Sequence, residues 1–199
     1  MLDAFLTDYL NARTDDYGGD VANRVRLATE VCADVVTAVG GDIAVGIRIS
    51  QAKVSDNDHR WAGGQDDAAI IFTALADTGI DYIHTTEYRA LAPAFEGADT
   101  TLANYAKQYS GLPIIANGHL DDPCDAATII DSGAADVVAL AKPALANRDW
   151  PHRVHTGQPL SPDLPADLLG PLATIKDWEV ADTPHLSRTA ASPNQAPGS

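Results

Sequence analysis

Basic residues are scarce in this chain. Lysine and arginine together number 13 against 28 aspartates and glutamates, a formal net charge of −15 over 199 residues. Such a field repels nucleic acid and anionic membrane surfaces, so neither is expected as a partner. An anionic ligand can bind only through a local set of Arg, Lys and helix N-termini. The acidity fits a high-salt protein and a merely very soluble one equally well. Cysteine is nearly absent too. Cys32 and Cys124 lie inside helical patterns, and neither belongs to a CxxC or Cys/His spacing, which argues against zinc or a redox disulfide. Reduced, partly buried thiols of a cytoplasmic protein are the expectation. Long apolar runs are missing: none approaches the roughly 18 residues of a membrane span. The opening Met1-Leu2-Asp3-Ala4-Phe5 has no signal-peptide pattern, which again predicts a cytoplasmic location. His59, His119, His152, His155 and His185 show no ligand spacing, so they are expected to face solvent and no metal is expected.

What is present is a hydrophobic content of 45%, enough for a sizeable core in one domain with a loose tail. Two apolar runs organise it, Leu112-Pro113-Ile114-Ile115-Ala116-Asn117-Gly118 and Ala135-Asp136-Val137-Val138-Ala139-Leu140-Ala141-Lys142-Pro143. Each is continuous rather than alternating, the pattern of a fully buried strand. Each is followed closely by a helix start, so adjacent strand ends here form a candidate phosphate site.

The rest of the chain repeats this unit. A short amphipathic segment over Leu2–Leu10 precedes a polar loop with a Gly-Gly turn. Asp20 is placed to cap a helix over Val21–Val39, whose stripe is Val25, Ala28, Cys32, Val35, Val36 and Val39. Strand residues Ile43–Ser50, helix Asp66–Asp77, strand Tyr82–Glu87 and helix Thr100–Tyr109 follow. The two anchor strands then flank a helix over Pro123–Ser132, and a last helix runs from Pro143 through Asn147 to about His155. Four strand–loop–helix units in a row predict an α/β fold with a parallel sheet. The longer loops, Gln51–Gln65 and Tyr88–Asp99, follow strands, where such folds keep their binding sites. Residues 1–160 are expected to form the barrel-type domain, 161–182 a packed terminal segment and 183–199 a disordered tail.

Asn11-Ala12-Arg13-Thr14-Asp15-Asp16-Tyr17-Gly18-Gly19 with Asn23-Arg24-Val25-Arg26 resembles the signature N-x-R-x-D-x-Y-G-G-S-x-x-N-R-x-R of the Old Yellow Enzyme family of FMN-dependent NAD(P)H:flavin oxidoreductases. Val45–Ser50 resembles the fifth strand of that family's TIM (β/α)8 barrel, and Tyr82-Ile83-His84 the sixth. Ile114–Gly118 and Val137–Asn147 resemble the seventh and eighth. The resemblance covers roughly Leu2 to Trp150 in unbroken order. It implies an FMN-dependent oxidoreductase that passes hydride from NAD(P)H through FMN to an activated alkene or a similar small-molecule acceptor. It also implies that Arg48 faces the flavin pyrimidine edge, that Gly118 and Ala141 offer backbone N–H groups to the FMN phosphate, and that Lys142 adds a cation, with Asn117 beside them. From the residues alone, Arg48 is a lone cation in an apolar strand and needs an anionic or electron-rich partner, or a local acid such as Asp81. The family usually carries Gly-Arg where Ala141-Lys142 stand, so the bidentate geometry of arginine is lost.

The resemblance covers only the C-terminal half of the barrel. Four strands are present where a barrel has eight. The family's substrate-anchoring His/Asn or His/His pair, its Tyr proton donor and its flavin-tuning Thr or Cys are expected to lie before Met1, so no catalytic residue is assigned. The exposed edges of strands five and eight call for a partner chain, a half-barrel homodimer, or mark a truncated product. A non-catalytic half that binds FMN or phosphate only with a partner is the alternative reading. Arg13, Asp16, Tyr17, Asn23 and Arg24 are read as loop architecture, and His84 with Glu87 as a satisfied structural pair.

Overall fold

The computed structural model describes residues 2–164 together with Leu168 and Thr174. Its elements, in chain order, are α1 (Leu2–Leu6), α2 (Val21–Val39), β1 (Gly46–Ile49), α3 (Gln65–Ala76), β2 (Tyr82–Thr86), α4 (Leu102–Ser110), β3 (Ile114–Asn117), α5 (Pro123–Asp131), β4 (Val137–Val138), α6 (Lys142–Ala146) and α7 (Trp150–Thr156). The four strands form one parallel sheet in the order β1-β2-β3-β4. The predicted packed segment over 161–182 and the tail over 183–199 lie outside the described residues, apart from 161–164, Leu168 and Thr174.

Helix ends follow local chemistry. The Asp20 side chain accepts from the Asn23 amide at the start of α2, and Gly40 closes that helix in a left-handed conformation. Thr101 and Asp122 cap α4 and α5 in the same way. The single helix expected from Pro143 to His155 is two helices. Asn147 departs from helical geometry, and its buried amide bonds Pro143 O, Ser161 O and the Ser161 amide instead. Pro151, which has no N–H to give a preceding turn, stands in the first turn of α7.

One face of the sheet is packed and the other is not. Ile83 and Ile114, paired at the same level, are fully buried beneath the helices, as are Ile71, Phe72 and Leu75 of α3 and Ala106 of α4. Each large side chain buried here contributes about 1.5–3 kcal/mol. The opposite face carries the row Arg48, His84, Ile115 and Val137, which the strand pairings place side by side. No described element covers that face, so Arg48 is exposed and Val137 is 51% exposed. This corrects the expectation that the anchor strands are buried on both sides. A continuous apolar run records strand type; it cannot tell whether a second layer is present. Val35 is likewise exposed, so the buried stripe of α2 narrows to Val25, Ala28 and Cys32. Cys124 is exposed rather than partly buried, because it sits at the start of α5.

Two aspartates tie consecutive units together at the bottom of the sheet. Asp81, just before β2, accepts from the Val45 amide at 2.7 Å while its own amide donates to Val45 O at 2.7 Å. Asp136, just before β4, does the same to Ile114, at 2.7 and 2.8 Å. Both stand shortly after a helix-ending glycine, in Gly79-Ile80-Asp81 and Gly133-Ala134-Ala135-Asp136. Arg24 performs a comparable task at the chain start. Buried, it donates to Leu6 O and Gly19 O and lies 3.6 Å from the Asp67 carboxylate of α3. The polar cluster of the opening loop is therefore architectural, with Tyr17 Oη on Glu30 and Arg26 on Asp16 O completing it.

Candidate functional site

The C-terminal ends of the strands carry a polar row on the uncovered face. Arg48 of β1 donates from Nη2 to Thr86 Oγ1 of β2 at 2.9 Å and reaches Asn117 Oδ1 of β3 at 3.5 Å. Thr86 Oγ1 lies 2.8 Å from Asn117 Oδ1, and Asn117 Nδ2 donates to Ala139 O, just past β4, at 2.8 Å. Four strand ends are thus joined by side chains. Arg48 pairs with neither Asp81 nor any other described carboxylate; Asp81 is committed to Val45. A guanidinium whose only side-chain partners are neutral keeps its charge for another group.

His84 is paired beside Arg48 on the same face, one step below Thr86. Its Nε2 is buried with no described hydrogen-bond partner. Burial and then the Arg48 charge hold its imidazole below the usual histidine range, favouring the neutral ring. The expected His84–Glu87 pair does not form, since the two residues serve different surroundings. Glu87 accepts from the Gln51 amide at 3.2 Å and from Gln51 Nε2 at 3.5 Å. Burial pushes its carboxyl above the ordinary range. Gln51 is fully buried and also donates to Ala94 O at 2.9 Å. This one amide therefore joins the long loops after β1 and β2. His59 belongs to the same assembly rather than to solvent. Its Nδ1 is 2.6 Å from Gln51 O and its Nε2 3.2 Å from Asp8, because the N-terminal segment folds back over the loop.

Gly118 closes β3 at φ 136°, where a Cβ would stand 2.1 Å from Glu87 O and 3.1 Å from the Ala90 amide. The missing side chain makes room for the loop after β2, which bonds Gly118 O through Ala90 N at 2.9 Å. His119 Nδ1 lies 2.5 Å from Tyr88 O, pinning that loop once more. Among the described residues, neither the Gly118 N–H nor the Ala141 N–H finds an acceptor. Both follow neighbouring strands, two and three residues beyond the paired Ala116 and Val138. Lys142 is exposed at the start of α6, without a described partner. The structure thus brings Arg48 and Asn117 into one network, and leaves Gly118, Ala141 and Lys142 as unengaged donors at the adjoining strand ends. Sequence reasoning missed Thr86 and Gln51. Period-two alternation from His84 does place Thr86 on the Arg48 face, so that residue was within reach. A groove of about 900 Å³ opens between this row and α1, walled by Arg48, Ser50, Thr86, Glu87 and Leu6.

Residues 1–161 match the family model described as the NADH:flavin oxidoreductase / NADH oxidase family. The chain is 34% identical over 166 residues to a probable flavin mononucleotide-dependent alkene reductase of Leishmania infantum, covering 83% of this chain and 43% of that protein. It is 32% identical over 166 residues to putative 12-oxophytodienoate reductase 3 of Oryza sativa subsp. japonica, covering 81% and 42%. In structure it resembles the old yellow enzyme homologue of Zymomonas mobilis, with a TM-score of 0.71 and 25% identity, over 94% of this chain and 50% of that one. The chain spans less than half the length of the curated relatives it matches, 42% to 44% of three of them and 24% of a metal reductase. A four-stranded parallel sheet matched to half of such a protein is half of a TIM barrel. No described helix is long and apolar enough to cross a membrane, and no metal-holding group of side chains occurs among the described residues.

Proposed function

Because the chain belongs to the NADH:flavin oxidoreductase / NADH oxidase family, we propose that it is the FMN-holding half of an Old Yellow Enzyme-type reductase. The assembled protein moves hydride from NAD(P)H through FMN to an activated alkene or similar small-molecule acceptor, in the cytoplasm. FMN supplies the ring that accepts and donates the hydride. The residues of this chain bind it and balance its charge. The observation that carries the reading is the Arg48 guanidinium, held at the strand ends by neutral partners alone and backed by two unengaged amides. That donor set fits the group: a guanidinium for an electron-rich ring edge, and the Gly118 and Ala141 N–H groups with Lys142 for a phosphate. In a chain of net charge −15, such a local cluster is what lets an anion bind. Asn117 holds the strand ends in place, while Arg48 stabilises negative charge on the ring.

The uncovered sheet face favours a second reading as well, in which the half binds FMN only when a partner chain or a second copy supplies the opposite wall. Flavin fluorescence titration of the full chain, alone and mixed with a polypeptide carrying the first four barrel strands of a relative, tests both. Saturable quenching by the chain alone supports the first reading, and quenching only in the mixture supports the second. In either case Arg48→Ala is expected to weaken binding at least tenfold, the scale of a lost charged hydrogen bond of about 1.5–3 kcal/mol. No quenching in either preparation, or quenching indifferent to Arg48→Ala, overturns the proposal.

A further inference from the structure

Three hydrogen bonds cross the strand ends, and their donors can be assigned without choice. Asn117 Nδ2 donates to Ala139 O at 2.8 Å, which turns the amide nitrogen toward β4 and leaves Oδ1 facing β2. An amide oxygen only accepts, so the 2.8 Å contact between Thr86 and Asn117 Oδ1 uses the single hydroxyl proton of Thr86. What Thr86 Oγ1 presents to Arg48, 2.9 Å away, is therefore a lone pair, and the guanidinium, which has only donors, fits it. Every donor points the same way, from β1 toward β4, so each bond polarises the next. The direct Arg48–Asn117 contact is much longer, 3.5 Å, and cannot replace the hydroxyl.

We propose that Thr86 is the positioning residue of Arg48: its hydroxyl, oriented by Asn117, fixes the guanidinium plane so that the remaining N–H groups face the ligand. The inference rests on the FMN reading above for the identity of that ligand, but not for the orientation itself. Without the hydroxyl, Arg48 is a long exposed side chain with several rotamers, and an Asn117 oxygen loses its donor. The γ-methyl of Thr86 plays no part, so serine suffices and valine, similar in shape, does not.

Two measurements on the full chain test this. The first is nitrogen-detected NMR of the Arg48 guanidinium without any flavin, assigned by its loss in Arg48→Lys. Hindered rotation about the Nε–Cζ bond is expected in the parent and in Thr86→Ser, and free rotation in Thr86→Val. Thr86→Ala serves the same purpose should the valine variant not fold, with circular dichroism reporting the fold. The second is FMN titration, with the barrel-completing polypeptide if it is needed. Roughly tenfold weaker binding is expected for Thr86→Val or Thr86→Ala and near-parent binding for Thr86→Ser, from one lost charge-assisted hydrogen bond. A guanidinium that rotates freely in the parent, or is equally hindered in Thr86→Val and Thr86→Ala, overturns the positioning role. Hindered rotation released by these variants, with FMN binding indifferent to Arg48→Ala, supports Thr86 while defeating the flavin assignment.

Discussion

Gly118→Ala concentrates two separate costs at one position. At φ 136° the backbone occupies a region that L side chains rarely adopt, and the new Cβ would stand 2.1 Å from Glu87 O and 2.9 Å from Glu87 C. The first cost is conformational strain, roughly 1–3 kcal/mol. The second is overpacking against main chain that no side-chain rotation relieves, roughly a further 1–3 kcal/mol. Gly111→Ala is the control. Gly111 has φ 67° as the cap of α4, and a Cβ there meets nothing within 4 Å. It incurs only the left-handed penalty of about 1–2 kcal/mol. Equilibrium unfolding in urea compares them, with a slope of about 1–3 kcal/mol per molar. At a slope of about 2 kcal/mol per molar, Gly118→Ala is expected to lower the midpoint by about 1–3 M, clearly more than the roughly 0.5–1 M of Gly111→Ala. Equal shifts for the two variants would refute the claim that the loop after β2 is packed into the space of the missing side chain.

Three further outcomes are expected. Phe72→Ala, which empties a fully buried site and removes a ring 5.8 Å from Trp61, should cost about 3–5 kcal/mol by the same urea assay. The Lys107 ammonium, and then the Ile114 amide, hold the Asp136 carboxyl below the usual range. Its stabilisation is therefore present above the ordinary carboxylate pKa and lost as pH falls through the depressed folded value. Asp136→Asn should be less stable than the parent at pH 7, by no more than about 1 kcal/mol at so exposed a pair, and the gap should close in strong acid. Glu87 runs the other way. Burial raises its pKa, so the protonated form favours the fold, and stability is lost as pH rises through the folded value. Melting temperatures of Glu87→Gln and parent should therefore diverge as pH rises from 4 to 8, in favour of the variant.

The legible part of this fold is the part that local chemistry decides. Asp20 marked the start of α2 to the residue, and the strand–helix alternation placed all four strands with their loops. Arg48 and Asn117 were found as candidates and do meet. The illegible part is what depends on distant partners or on a missing layer. Nothing adjacent to Gln51 announces that it bridges Glu87 and Ala94, 36 and 43 positions away. Val137 is apolar in sequence and half exposed in space, because hydrophobicity says what a strand can bury and not what is there to bury it. His59 was read from spacing as a surface residue, while its partner Asp8 lies 51 positions earlier.

The aspartates at the bottom of the sheet have an effect at its far end. In a parallel pair, sliding one strand by a single residue sends every side chain to the opposite face. Asp81 locks β2 against Val45, and Asp136 locks β4 against Ile114, each before the first rung of its ladder. The alignment of Arg48 with Thr86, and of Asn117 with Ala139, is thus supported from the opposite pole of the molecule, where the phase of β1 against β2 and of β3 against β4 is set. A ligand that meets this row meets an alignment written in part by two carboxylates at the other end of the strands.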